Sequence, residues 1–268
     1  MKNYWNNKAV LVTGACRGLG LVLSKDLLSR GAKVIMHSWS SPAPEEKEIQ
    51  KALAEHRAIH VNADIRSGDE VSNMVFQIKH KLGSCDMVIH NSGISSEASL
   101  EESSEEVFRQ VIDTNLIGAV LVTKAILPLL KQSKGQVFFV SSLAAIYGMP
   151  NYLSYSMSKA ALVPLQEGLE LEVKKHDIFV GLMYLGFVEN DAVKFALNAN
   201  GEKIPVPPRN NRLIITKERA SARILKAIER KKRISYSDTT GRIFSVLKFL
   251  FPSFVRFLIN RAQNKALK

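Results

Sequence analysis

Cysteine is nearly absent: Cys16 and Cys85 are the only two in 268 residues. They form no Cys-x-x-Cys spacing, which sets aside a disulfide scaffold or a zinc site and suits a reducing compartment. The opening residues, MKNYWNNKAV, lack the apolar stretch of a secretory leader. Internal repeats and low-complexity linkers are also missing. Acid is scarce at one end. From Lys217 onward there are 14 Lys/Arg against three Asp/Glu, so nearly all of the formal +12 charge lies there. Residues 241–268 contain no acid at all. They also lack the roughly 20 mostly apolar residues of a spanning helix, because Lys248, Pro252 and Arg256 interrupt them.

What remains is ordinary for a globular protein: 46% hydrophobic and 23% charged residues. Short apolar runs recur at 8–13, 33–38, 58–61, 85–90, 135–141 and 177–184, each followed by helix-like sequence. Runs bounded by turns suit strands buried on both faces. Strict alternation with helices predicts an α/β fold, a Rossmann-type doubly wound parallel sheet of about seven strands. ISYS (234–237) is the candidate for the seventh, edge strand. Gly31 and Gly83 stand where left-handed helix caps are expected. Ser103 with Glu106 predicts a capping box opening a long helix to about Lys131. Thr216 predicts the N-cap of another, over 216–233. The segment GEKIPVPPRNN (201–211) reads as a loop past the sixth strand, either a lid over a cleft or a plain surface connection. The division expected is a domain over 1–240, with a substrate loop near 187–212, and an extension over 241–268.

Two local patterns carry chemistry. In TGACRGLG (13–20), Gly14, Gly18 and Gly20 lie at the turn from the first strand into a helix, where backbone approaches a diphosphate at the helix N-terminus. The second strand ends His37-Ser38-Trp39 without the acid that would bind an unphosphorylated adenosine ribose, which favours NADP(H). In SYSMSK (154–159), Tyr155 and Lys159 are four apart and share a helix face. A free phenol has a pKa of about 10. A neighbouring ammonium favours the phenolate and brings that pKa closer to neutral, as proton transfer at a carbonyl requires.

The spacing G-x-x-x-G-x-G resembles that of the short-chain dehydrogenase/reductase family. The order Asn115, Ser142, Tyr155, Lys159, with SYSMSKAAL following, resembles its catalytic tetrad over roughly residues 7 to 190. The resemblance implies that Tyr155 moves the proton and that Lys159 tunes it and binds nicotinamide ribose. It implies that Ser142 holds the carbonyl and that Asn115 holds a water linking Lys159 to solvent. For Asn115 a structural role at a helix kink is the competing reading. Implied cofactor contacts are Gly14, Arg17, Gly18, Leu19 and Gly20, with Arg17 and Ser38 at the 2′-phosphate. Asp64 and Ile65 would lie at the adenine, although Asp64 equally suits a cap for the helix starting near Ser67. Asn91 and Gly93, in HNSGI, would line the cofactor wall despite His90 and Ser92 departing from the family's Asn-Asn-Ala-Gly. Gly186 and Val188 complete the set. Leu185 replaces the usual proline and Asn190 the usual threonine, so a softer loop there is expected.

The resemblance implies an NADPH-dependent carbonyl reductase or alcohol dehydrogenase for a hydrophobic, lipid- or steroid-like ketone, its cleft walled by Tyr147, Met149 and Tyr152. A 3-oxoacyl-thioester reductase and a cofactor-binding scaffold with little turnover are the alternatives. Relatives pair through the helices of 104–131 and 153–175, which implies a homodimer or homotetramer in the cytoplasm. For residues 241–268 three readings stay open: a helix lying in a membrane interface, a helix packed on its own domain or another subunit, and a contact for an acidic carrier protein. Nucleic acid is set aside, because the cations interleave with an apolar stripe and no binding motif occurs.

Overall fold

The computed structural model describes residues 4–191, 194–206 and 214–266, with side chains to 261. Six apolar runs become β1 (Ala9–Thr13), β2 (Lys33–Ser38), β3 (Ala58–Asn62), β4 (Met87–His90), β5 (Gln136–Ser142) and β6 (Phe179–Leu185). They pair in parallel in the order β3-β2-β1-β4-β5-β6, and the edge position beyond β6 is taken by Ile234–Tyr236. The order reverses between β1 and β4, which opens a crevice at their carboxyl ends.

Alternation along the strands sorts side chains to two faces. Leu11, Ile35, Val88, Val137, Phe139 and Val180 face one core, packed by α3 (Gly68–Leu82), α5 (Gly118–Ser133) and α6 (Leu153–Val173). Val10, Val34, Met36, Ile89, Phe138 and Val140 face the other, packed by α1 (Gly18–Ser29), α2 (Lys47–Ala54) and α7 (Lys217–Glu229). Trp5 is wholly buried in this second core, so the polar opening segment contributes an anchor.

Most expected caps stand. Gly83 ends α3 at φ +73, and Thr216 accepts from the Arg219 N–H at the start of α7. Ser104, rather than Ser103, caps α4 (Glu105–Ile112), because its hydroxyl is the one that reaches the Val107 N–H. A π turn at Asp113–Ile117 joins α4 to α5. This long helix alone among those described is apolar enough to suit a membrane span. The core accounts for that apolarity: Val107, Val111, Val122, Ile126 and Leu130 are all buried.

One correction concerns the region after β6. The proline-rich stretch read as a loop contributes a strand: β7 (Phe195–Leu197) and β8 (Lys203–Pro205) form an antiparallel hairpin. Pro205 is tolerated because it ends an edge strand. The remaining part of the expected lid, residues 207–211, lies outside the described residues. Past Ser142 and Leu185, where a softer loop is expected, the chain is paired. Leu185 continues β6 opposite Ser142, Gly186 N–H donates to Ser237 Oγ at 2.7 Å, and Phe187 and Glu189 exchange backbone bonds with Ile215. The chain then runs through β9 (Ile234–Tyr236) into α8 (Thr239–Leu250) and α9 (Pro252–Ala266).

Candidate active site

The glycine turn forms as its spacing requires. Gly14 and Gly18 adopt φ +66 and +56, and a Cβ on Gly20 would collide with the Gly14 carbonyl oxygen. The Asn91 amide closes the turn from β4, donating to the carbonyls of Thr13 (3.1 Å) and Gly14 (3.3 Å). Thr13 Oγ1 accepts from the backbone N–H groups of Asn91 and Ser92, both at 3.0 Å. The turn, its tight entry to α1 and the wall at Asn91 fit a dinucleotide diphosphate. One charge opposes it: Asp191 Oδ2 lies 2.6 Å from where a Gly18 Cβ would stand. Asp191 is ion-paired with Lys217, whose backbone N–H also donates to Glu189.

Around this turn the expected contacts divide. Arg17 is exposed at the α1 N-cap, its guanidinium 5.0 Å from the Phe195 ring centroid. Leu19 packs against the α1-side core. Ser38 is buried, with its hydroxyl within hydrogen-bond distance of two acceptors, Asn62 Oδ1 (2.7 Å) and Ser41 O (2.8 Å), and 3.1 Å from His60 Nε2. A phosphate would have to displace those partners. Asp64 is paired with Arg66, which holds its carboxyl below the usual range. The helix cap it equally suited is Ser67, which accepts from the Glu70 N–H. Ile65 is buried against the α3–α5 side of the sheet.

The second cluster gathers on α6 and the ends of β4 and β5. Helical spacing puts Tyr155 and Lys159 on one face, and hydrogen bonds fix that face to the sheet. Ser141 Oγ donates to Lys159 O at 2.8 Å, and Lys159 Nζ donates to Val140 O at 3.0 Å. The Lys159 ammonium lies 6.0 Å from the Tyr155 ring centroid. Lys159 is only 5% exposed, and that burial brings its pKa down from 10.5 to about 8. At neutral pH it is still mostly charged. Tyr155 packs among Ile94, Val107, Val111 and Leu197. Leu197 comes from the β7–β8 hairpin, which is bonded to Ser95 and Glu97 and so roofs the tyrosine. Ser142 closes β5, its Oγ accepting from the Ala144 N–H at 3.2 Å.

Asn115 sits in the π turn and acts as a strap. Its Oδ1 accepts from Ile94 N–H (2.8 Å), while its Nδ2 donates to Ile94 O and Ser158 Oγ, both at 2.9 Å. These bonds join the loop after β4 to α6, which supports the structural reading of its side chain. Gly93 is the close approach beside it: a Cβ there would stand 3.2 Å from both Asn115 Oδ1 and Lys159 Nζ. A hollow about the size of one water adjoins Asn115, Lys159, Ser92 and Thr13. Gly186 and Val188 lie past the carboxyl end of β6, Val188 bridged to Ile215. Asn190 stands half-buried near them.

Four residues around the site were not legible. Ser158 anchors the Asn115 strap, and Asp191 with Lys217 flanks the glycine turn. His90, a departure from the family turn, is wholly buried, stacked 4.9 Å from Phe139 and bonded to Thr123. Burial, then the Lys159 charge, pushes its pKa down to about 3, so it is neutral. Nothing in the local pattern of residue 90 marks Thr123 or Phe139 as its partners.

A diphosphate-accepting turn and a Tyr-Lys pair at one crevice of a parallel sheet define an oxidoreductase that works with a nucleotide. Comparison narrows the class. Residues 8–200 match the short chain dehydrogenase family. Dehydrogenase/reductase SDR family member 7B of Bos taurus is 27% identical over 99% of this chain and 84% of its own. The 3-oxoacyl-[acyl-carrier-protein] reductase FabG of Chlamydia muridarum is 31% identical over 70% and 77%. A Burkholderia cenocepacia short chain dehydrogenase solved with NADP superposes at TM-score 0.76, with 23% identity over 94% and 96% of the two chains. The chain belongs to the short-chain dehydrogenase/reductase family. It is an oxidoreductase acting on CH–OH and C=O groups with a nicotinamide dinucleotide.

Proposed function

We propose an NADPH-dependent carbonyl reductase for a hydrophobic ketone, able to run in reverse as an alcohol dehydrogenase. The observation that carries it is the buried Lys159 ammonium beside Tyr155 under an apolar roof. The dinucleotide supplies or takes the hydride. Tyr155 hands its phenolic proton to the substrate oxygen and takes it back in oxidation. Lys159 stabilises the phenolate that results, because a positive charge in a desolvated site acts across several ångströms. Ser142 holds the carbonyl oxygen. Asn115 keeps the Ile94 loop and α6 in register, beside a water path to Lys159. Gly14, Gly18, Gly20, Asn91 and Gly93 shape the cofactor seat. Preference for the 2′-phosphate rests on Arg17 and on the lack of an acid at the end of β2 rather than on Ser38, whose hydroxyl is engaged.

The catalytic unit extends to about residue 240. It works as a homodimer or homotetramer in the cytoplasm, with 241–268 as an extension outside that unit. A 3-oxoacyl-thioester is the second substrate class, favoured by the 31% identity to the reductase of Chlamydia muridarum. The test is NADPH oxidation across a panel of alkyl and aryl ketones and 3-oxoacyl thioesters. Turnover confined to the ketones supports the reading and turnover confined to thioesters replaces it. Cofactor binding with no turnover on any of them leaves only a scaffold.

A further inference from the structure

The last two helices carry an apolar surface that the fold does not bury. Five of the chain's 12 phenylalanines fall between residues 244 and 257. On α8, Ile243, Val246, Phe249 and Leu250 are exposed at helical spacing, and Phe249 is 85% exposed. Phe251, Phe254, Phe257 and Leu258 continue the exposed apolar surface into α9. Single exposed apolar residues are ordinary, but a contiguous series marks an interaction surface. Neither helix is long enough to span a bilayer, at 12 and 15 residues with a break at Pro252.

The same helices are fixed to the substrate side of the enzyme. Asp238 caps α8, and a Cβ on Gly241 would strike Leu143. Tyr236 donates to Ser245, Val255 is buried, and Lys248 donates to the Ile146 carbonyl. Leu143 and Ile146 belong to the segment between Ser142 and Tyr155. The exposed apolar surface is therefore attached to the cleft wall rather than to a loose tail.

Charge selects the occupant. Arg242, Arg256 and Arg261 are exposed beside this surface, and no acid follows Asp238. A second copy would bring an identical cationic tail against it. A bilayer with anionic headgroups satisfies both components, taking the apolar side chains into the acyl boundary and the cations at the phosphates.

We propose that α8 and α9 dock the enzyme on an anionic bilayer surface, with the rim of the cleft at the contact, so that a membrane-dissolved ketone enters directly. The entry of such a ketone rests on the reductase reading; the docking does not.

Flotation of the whole protein with phosphatidylcholine vesicles, with and without about one third phosphatidylglycerol, tests it. The parent floats with anionic vesicles at least about tenfold more than with neutral ones, and the difference shrinks in high salt. Phe249→Ser with Phe257→Ser, and separately Arg256→Gln with Arg261→Gln, lower flotation about tenfold. Both retain NADPH binding and turnover of a soluble ketone. A parent that stays at the bottom at low salt overturns the proposal, as does a phenylalanine variant that floats like the parent. Tail-dependent self-association without flotation overturns it in favour of a second copy. Turnover of a soluble ketone without flotation sinks the docking alone. Flotation without turnover of any ketone sinks the reductase reading alone.

Discussion

Lys159 makes the stability of the protein depend on pH in an unusual direction. Burial lowers its pKa from 10.5 to about 8, so the unfolded chain holds this proton more tightly than the folded one. Where the unfolded state binds more protons, stability rises with pH. Well below pH 8 both states are charged and the cost of burying the ammonium is complete, about 3 kcal/mol. Linkage brings that cost to about 2 kcal/mol at pH 9 and below about 1 kcal/mol at pH 10. Lys159→Met keeps the length of the side chain and removes the titration. Its lost bond to Val140 costs about 1 kcal/mol at every pH, so the slope, not the absolute stability, is diagnostic. Urea unfolding of cofactor-free parent and variant at pH 7, 8 and 9 gives the difference. The parent gains about 1 kcal/mol on the variant between pH 7 and 9. Parallel curves would refute the claim that Lys159 carries a desolvated charge beside Tyr155.

Two further outcomes concern the cofactor. With Arg17 in its proposed role at the 2′-phosphate, Arg17→Ala weakens NADPH binding roughly ten- to a hundredfold while leaving NADH unchanged in calorimetry. Equal loss for both nucleotides would deny Arg17 that role. Asp191→Asn removes a negative charge from the glycine turn. The bare repulsion is about 4 kcal/mol at 4 Å in a partly screened site, and Lys217 cancels most of it. About 1 kcal/mol remains, so the variant binds NADPH about fivefold more tightly. Unchanged or weaker binding contradicts a like-charge contact.

The sheet was legible because each strand is a short apolar run buried on both faces, and Tyr155 and Lys159 were legible because helical spacing alone aligns them. What escaped depends on partners far apart in sequence. Ser38 looked available to a phosphate, yet strand register brings Asn62 and His60 against its hydroxyl. The Asn115 amide is bonded to Ile94 and Ser158, a strap between the loop after β4 and α6 that no local pattern around residue 115 reveals. Ser103 and Ser104 are equivalent as letters, but the Ser103 hydroxyl turns back to the Ser99 carbonyl and the Ser104 hydroxyl takes the Val107 N–H. The β7–β8 hairpin was hidden by the proline-rich sequence of 201–211, and its bonds to Ser95 and Glu97 join it to a loop a hundred residues away.

The central claim is that the Tyr155 phenol is the proton donor at the carbonyl. Tyr155→Phe keeps the ring among Ile94, Val107 and Leu197 and removes only the hydroxyl, so cofactor affinity can be measured alongside turnover. With the phenol as proton donor, kcat falls about 10²- to 10⁴-fold in the variant while NADPH binding stays within about twofold of the parent. A variant that reduces its ketone at the parent's rate contradicts that claim.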